Sequence, residues 1–328
     1  MSDKAAATPA DNAGESAAGK SVVKRPTFSH RLEYAATRVA VGALRLVSWR
    51  GASAFGAQVG KLAYRPFNIR GDVAERQIAA AFPEYSAERV AEVARLSFES
   101  LGRTSIETAV LPGTPRDELI RRFELVEGWD LLEAARAEGK GVIIVTGHLG
   151  NWEYGGAYVA ARGMPFDAVT LGMANPLFDA YIRRTRAQIG FEVIHDAEAV
   201  RRTPRALKEG RVIAMVCDQD GLNLASTFVP FFGRPAKTPR GPAVFALRLG
   251  VPLIFAASVR RPSGNYALLL SRLPVHVTGD RDADIDNIVL TYTQRLEAYV
   301  REYPEQYFWQ HRRWRRQPPD TPAHQREP

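Results

Sequence analysis

The chain has 328 residues, 45% of them hydrophobic and 24% charged, with 44 Lys and Arg against 36 Asp and Glu, a formal net charge of +8, and one cysteine. The apolar fraction is ample for a sizeable core, which excludes a wholly disordered chain, and the lone Cys217 forms no internal disulfide and supplies no thiolate metal cluster, as in a reducing compartment. The basic balance, with a pI near 9.7, calls for an anionic partner: nucleic acid, an acidic membrane surface, or a phosphorylated or acidic substrate.

Residues 1–28 hold Asp3, Asp11 and Glu15 among Ala, Ser and Gly, without the basic start and apolar stretch of a secretory signal, and read as a disordered, solvated tail. No run approaches the roughly 18 apolar residues of a spanning helix; the strongest, Gly141–Val145 and Val251–Ala257, are strand-sized. Ser29–Tyr64 is helical in pattern. At about 100° per residue, Arg31, Arg38 and Arg45 fall within about 40° of one another, with Leu32, Val39, Ala43, Leu46 and Val47 on the opposite side. Two readings stand: a buried helix with a basic outer face, or a helix lying in a membrane interface, towards which Trp49 and Arg50 lean.

Helices are expected over Asp72–Phe82 and Ala87–Leu111, with Asp72 and Ser86 as caps and Pro83 between them. From Pro115 onward the pattern alternates. Pro115–Arg122 reads as helix, Phe123–Val126 as strand, Trp129–Glu138 as helix and Val142–Thr146 as a β-branched strand. Further strands are expected at Phe166–Leu171, Phe191–Ile194, Val212–Cys217, Val251–Ser258 and Tyr266–Leu273. Helices at about Trp152–Arg162, Pro176–Ile189, Val200–Glu209, Pro239–Leu249 and Ala283–Tyr303 alternate with them. This is the pattern of an α/β fold whose mixed, mainly parallel central sheet is flanked by helices and preceded by a helical segment. The expectation is one domain over residues 29–316, helical over 29–112 and α/β over 113–316, with a flexible tail at 317–328.

In such sheets chemistry collects at the carboxyl ends of strands. One end stands out. Val142–Val145 runs into Thr146-Gly147-His148-Leu149-Gly150-Asn151-Trp152-Glu153, and a helix follows. His148 lies on a strand-to-helix turn with glycines on both sides, and Glu153, in the first helical turn, is expected to reach back to the imidazole. A neutral histidine acting as a base needs such an acceptor to fix its tautomer and stabilise the imidazolium. Unpaired N–H groups around Gly150, Asn151 and Trp152 offer a site for a developing oxyanion. A base without a protein nucleophile suits direct transfer, in which an acceptor hydroxyl is deprotonated and attacks an activated acyl group.

Gly147-His148-Leu149-Gly150-Asn151-Trp152-Glu153 resembles the His-x4-Asp/Glu block of the glycerolipid and lipid A acyltransferases, in the form found in the bacterial lipid A late acyltransferases. Three further blocks are similar, in the same order: Asn175-Pro176-Leu177 with Arg186 and Gly190; Asp218-Gln219-Asp220-Gly221 followed by Phe228-Val229-Pro230-Phe231-Phe232-Gly233; and Pro304-Glu305-Gln306-Tyr307-Phe308-Trp309-Gln310-His311-Arg312-Arg313. The resemblance covers about residues 30–316.

It implies transfer of a fatty acyl chain from a thioester, on acyl carrier protein or CoA, to a hydroxyl of a phosphorylated lipid, most directly a lipid A precursor. His148 would be the general base and Glu153 its partner. Arg186 would contact an acceptor phosphate, Asp218 and Asp220 would orient substrate without a metal, and Arg312 and Arg313 would meet the donor or anionic headgroups. No cofactor is implied. Thr238 and Arg240 are expected to shape the acceptor pocket, and Phe231, Phe232 or the early helices the apolar channel that sets acyl length. The missing spanning segment then means peripheral attachment at the cytoplasmic face of the bacterial inner membrane. Acylation of another lipid, such as a lysophospholipid, a phosphatidylinositol mannoside or an amino-acid lipid, is the first alternative. Hydrolysis lacks a nucleophile, since there is no G-x-S-x-G elbow and Cys217 sits in an apolar strand. Nucleic-acid binding lacks a recognition motif.

Overall fold

Two helices take the place of the single segment expected over 29–64 in the computed structural model, which describes residues 26–172, 174–220 and 224–328. The expected tail up to residue 25 and Gly221 of the paired-aspartate block lie outside the described residues. Helix α1 (Phe28–Leu44) starts where the Thr27 hydroxyl accepts the His30 N–H; after a turn, the Ser48 hydroxyl accepts the Gly51 N–H and starts α2 (Trp49–Tyr64). Ser86 caps α4 (Ala87–Val110) as expected, by accepting the Arg89 N–H. Asp72 does not cap α3 (Gly71–Ala81). That helix starts from Arg70 in a left-handed conformation, and Asp72 lies inside its first turn, accepting from Asn68.

Helices α2 and α4 cross at backbone distance. A Cβ at Gly60 would stand 2.0 Å from the Phe98 carbonyl oxygen, and one at Gly102 would stand 2.1 Å from that of Gly56, so these positions tolerate only glycine at this separation.

The apolar face of α1, buried in one of the two readings and set in a membrane interface in the other, is turned outward. The helix packs through Tyr34, Thr37, Val41 and Leu44, and Leu32, Val39 and Leu46 stand on the far side, with Leu46 88% exposed. Arg31, Arg38 and Arg45 flank that face, and the Arg38 guanidinium lies 4.8 Å from the Tyr181 ring centroid. Among the described residues no helix is long and apolar enough to cross a membrane.

The α/β part begins with α5 (Arg116–Arg121), β1 (Phe123–Glu127), α6 (Trp129–Ala137), β2 (Val142–Thr146), α7 (Trp152–Ala161), β3 (Phe166–Thr170), α8 (Pro176–Ile189) and β4 (Phe191–His195). It continues with α9 (Asp196–Lys208), β5 (Val212–Val216), a hairpin of β6 (Ser226–Phe231) and β7 (Arg234–Pro239), α10 (Gly241–Leu249), β8 (Leu253–Arg260), β9 (Tyr266–Leu273) and α11 (Arg281–Glu302). The seven-stranded sheet has the order β1-β9-β8-β2-β5-β3-β4, parallel except where β9 meets β8 antiparallel. Both faces of the central strands are buried, so they read as unbroken apolar runs. Along β2, Val142 and Ile144 join the core under α7, whereas Ile143 and Val145 join the core shared with α10 and α11.

The β6–β7 hairpin was not among the expected strands. Pro230 faces Pro235 and Pro239 closes the second strand, residues that argue against a ladder in sequence and are tolerated because this two-stranded ribbon is all edge. Residues 317–328 are not a loose tail: Gln317 donates to the Pro235 carbonyl, Arg234 donates to that of Arg326, and Thr321 is buried.

Candidate active site

Parallel pairing of β2 with β5 sets the site. Thr146 and Val216 are register partners, so the two turns that leave these strands, one carrying His148 and the other Asp218, emerge side by side. Asp218 grips His148 twice: its Oδ2 accepts the His148 backbone N–H at 2.8 Å and its Oδ1 lies 2.6 Å from Nδ1. Burial opposes ionisation of Asp218, but the charge and hydrogen bonds of His148 outweigh it and hold the carboxyl below the usual range. An ionised, acceptor-only carboxylate assigns the proton to Nδ1 and leaves Nε2 as the free nitrogen. Nε2 is 3.4 Å from the side-chain nitrogen of Gln219. The ring is partly exposed, packed edge-on against Trp152 with centroids 4.6 Å apart and flanked by Phe308.

The imidazole partner is therefore Asp218 and not Glu153. The reason is the orientation of α7: Asn151 caps it by accepting the Tyr154 N–H, and the first turn points Glu153 towards α8, where Oε1 pairs with Arg186 Nη2 at 2.5 Å. Arg186 is accordingly engaged with Glu153, and its remaining Nε is buried without a protein partner.

The amides expected to hold an oxyanion at Gly150 and Asn151 are both taken. The Gly150 N–H donates to the Gln306 carbonyl at 2.9 Å, and the Asn151 N–H to that of Ser258 at 2.8 Å. These bonds lock the loop instead. Gly150 has φ +62°, and a Cβ there would lie 2.0 Å from the Ser258 oxygen. From behind, Thr104 of α4 donates to the Gly150 carbonyl, and Glu107 accepts from the Asn151 side chain at 3.0 Å and from Arg260 at 2.5 Å. The early helices thus brace the turn that carries His148.

The remaining expected residues divide. Asp220 shares the edge with Asp218, but its carboxylate pairs with Arg316 at 2.5 Å and Lys237 at 3.7 Å, and its N–H donates to His311 Nε2. Arg313 is buried, donating to the Lys237 carbonyl and the Thr238 hydroxyl, so neither Arg313 nor Thr238 is open to a headgroup. Arg312 is half exposed and pairs with Glu327; Arg240 pairs with Asp282 and Asp286. Phe231 and Phe232 are core residues packed with Trp314, Trp309 and Phe82, and form no channel. Cys217 is buried and its thiol pushed up by burial, which leaves it no thiolate character.

Two residues beside the dyad had been given no role. Gln219 sits at the free nitrogen, and burial pushes His311 down to about 4, so it is neutral at pH 7. Their positions next to Asp218 and in the closing arginine-rich block were the available signals.

Comparison with known proteins gives a consistent picture. Residues 24–316 match the family described as bacterial lipid A biosynthesis acyltransferase. The chain is 29% identical over 273 residues to the lipid A biosynthesis palmitoleoyltransferase of Escherichia coli (strain K12), covering 80% of this chain and 84% of that protein. It is 28% identical over 270 residues to the lipid A biosynthesis lauroyltransferase of the same organism, covering 82% and 86%. A phosphatidylinositol mannoside acyltransferase of Mycobacterium tuberculosis (strain CDC 1551 / Oshkosh) is 32% identical over 165 residues, about half of each chain.

Proposed function

Because the chain belongs to the bacterial lipid A biosynthesis acyltransferase family, we propose that it moves a fatty acyl group from a thioester, on acyl carrier protein or CoA, to a hydroxyl of a phosphorylated glycolipid of the lipid A precursor class. The observation that carries this reading is the His148–Asp218 pair, which leaves Nε2 as the proton acceptor, with Gln219, Trp152 and Phe308 around the ring.

His148 Nε2 takes the proton of the acceptor hydroxyl as its oxygen attacks the thioester carbonyl carbon. Asp218 stabilises the imidazolium that forms and keeps the ring in the required tautomer. Collapse of the tetrahedral intermediate re-forms the carbonyl, breaks the C–S bond and releases a thiolate, which receives the proton from Nε2. Gln219, 3.4 Å from that nitrogen, is suited to hold the incoming hydroxyl.

The outward apolar face of α1 and the exposed Phe55, Val59 and Leu62 on α2 support attachment to the surface of the cytoplasmic leaflet, with Arg31, Arg45 and Lys61 meeting anionic headgroups. The phosphatidylinositol mannoside acyltransferase relative favours, as a second reading, the same chemistry on a different acceptor lipid.

The test is acyl transfer by purified protein to a panel of lipid acceptors, read by intact mass of the product. His148→Ala, checked for folding by its thermal transition, is expected to lose transfer by the 10²–10⁴-fold or so of a lost general base. Undiminished turnover in a folded variant would remove His148 from the mechanism. A mass gain on no lipid A precursor but on another lipid would select the second reading.

A further inference from the structure

Beside the turn that carries His148, the closing arginine-rich segment runs along the β6–β7 hairpin. Arg313 donates to the Lys237 carbonyl and Gln317 to that of Pro235, so residues 313–317 are strapped to β7. Between these two bonds Arg316 is held against Asp220, with Nε 2.5 Å from Oδ2, and Lys237 Nζ stands 3.7 Å from Oδ1 of the same carboxylate. Asp220 follows Gln219, whose side-chain nitrogen lies 3.4 Å from His148 Nε2. Its N–H donates to His311, and the Phe308 ring is 5.9 Å from the His148 ring and 6.5 Å from that of His311. The cluster therefore borders the free nitrogen of His148.

Its donors are not all spent. At 3.7 Å Lys237 Nζ is beyond hydrogen-bond distance, so the ammonium keeps its three N–H groups, and the two terminal nitrogens of Arg316 have no bond partner among the described residues. Asp220 is buried, with 3% of its side chain exposed, whereas Arg316 and Lys237 are 34% and 19% exposed. The two cations, and not the carboxylate behind them, meet solvent. Formal charge agrees: Arg313, Arg316 and Lys237 stand against Asp218 and Asp220, an excess of one cation, and His311, its pKa lowered by burial to about 4, is neutral at pH 7. The arginines that the sequence set against an anion are engaged elsewhere, Arg186 with Glu153 and Arg312 with Glu327.

We infer that Lys237 and Arg316 form a phosphate-binding subsite beside His148, with Asp220 as the residue that positions both. The inference rests on the acyl-transfer reading of His148 and adds to it the place where a substrate is gripped by its charge. Arg316, its Nε committed, presents two coplanar terminal nitrogens to two phosphate oxygens, and Lys237 brings a point charge to the third. Both substrates of the proposed reaction carry this chemistry: a phosphate ester on the glycolipid acceptor, and the phosphoryl group of the pantetheine arm that acyl carrier protein and CoA share.

Lys237→Gln and Arg316→Gln each remove one charge at similar length. Lys237 loses no hydrogen bond, so its variant decides the matter if Arg316→Gln, which leaves Asp220 without its bonded partner, fails to fold. Initial rates are measured with two matched pairs: a phosphorylated disaccharide lipid against its dephosphorylated form as acceptor, and the acyl thioester of phosphopantetheine against that of pantetheine as donor. Each variant is expected to raise KM for one phosphorylated substrate by about tenfold, the loss of one hydrogen bond to a charged group, with kcat held within a few fold and the phosphate-free member unchanged. The pair in which the advantage of phosphate shrinks identifies its source. An advantage preserved in both pairs overturns the inference, and so does a loss that falls on kcat for all four substrates alike, which is what a structural role would give. If the native protein transfers to no acceptor, the acyl-transfer reading fails by itself. Calorimetric binding of the phosphorylated lipid and of phosphopantetheine to the native protein and to Lys237→Gln then decides the subsite, and unchanged affinity for both overturns it.

Discussion

The sheet edge that carries His148 and the α1–α2 surface use the same residue types in opposite ways. At the edge, arginines are bonded within the chain: buried Arg313 donates to the Lys237 carbonyl and the Thr238 hydroxyl, and the partly exposed Arg186 and Arg316 donate to Glu153 and Asp220. On the outer helices, Leu32, Val39, Leu46 and Phe55 stand exposed beside Arg31 and Arg45. In the first region each of these guanidinium groups finds a partner within the chain, although the Arg186 and Arg313 Nε atoms have none among the described residues. The second has apolar area and positive charge that stand exposed among the described residues, the composition that the proposed attachment to anionic lipid calls for. A hydrophobic stripe on a helix reports only that something must cover it. The covering body need not be protein.

If the edge is self-contained, the sharpest way to break it is to remove the group that holds the base. Asp218→Asn preserves shape but puts a neutral amide against the imidazole, so neither tautomer nor imidazolium is held. Turnover should fall by something like 10²–10⁴-fold, measured as product formed per unit time by a variant of unchanged secondary structure. A loss of less than a few fold would return the partner role to Glu153.

A smaller effect comes from His311. Its folded-state pKa is depressed from 6.5 to about 4 by burial, so the folded state resists a proton that the unfolded state accepts. The stability tied to its neutral form is therefore fully present above about pH 6.5 and is lost as pH falls towards 4, on the order of 3 kcal/mol at 1.36 kcal/mol per unit. Urea titrations across pH 7 to 4 should show a steeper loss for the native protein than for His311→Gln. Parallel profiles would mean the ring takes up its proton without resisting folding.

What the residues disclosed in advance follows from how local each feature is. The strands of the main sheet were legible because burial on both faces writes a short apolar run. His148 was legible because a histidine between glycines at a strand end is a local arrangement. The partner carboxylate was not. Glu153 is five residues from His148, but which way the first turn of α7 points depends on the Asn151 cap, and Asp218 comes within 2.6 Å only because β5 happens to lie beside β2. Arg313 was misread for a similar reason, since in sequence a buried arginine inside a basic run looks no different from a solvated one. The prolines of β6 and β7 hid a hairpin that has no interior strand for them to disrupt.

The outer surface invites the smallest change and the clearest separation of effects. Val39 on α1 and Leu46 just past its end are 74% and 88% exposed among the described residues, so Val39→Asp with Leu46→Asp should leave stability within about 0.5 kcal/mol of native, as surface substitutions do. Each side chain that inserts into a lipid interface contributes up to about 1.5–3 kcal/mol through its apolar area, so affinity for anionic vesicles should drop by about tenfold or more for the pair. The residual binding, carried by Arg31, Arg45 and Lys61, should then weaken steeply with salt because exposed charges are screened within about 10 Å at 0.1 M. Cosedimentation with phosphatidylglycerol vesicles at two ionic strengths reads both components. Were the pair to unfold the protein, or leave vesicle binding untouched, the face would be covered by protein, and the contrast with the sheet edge would be one of degree.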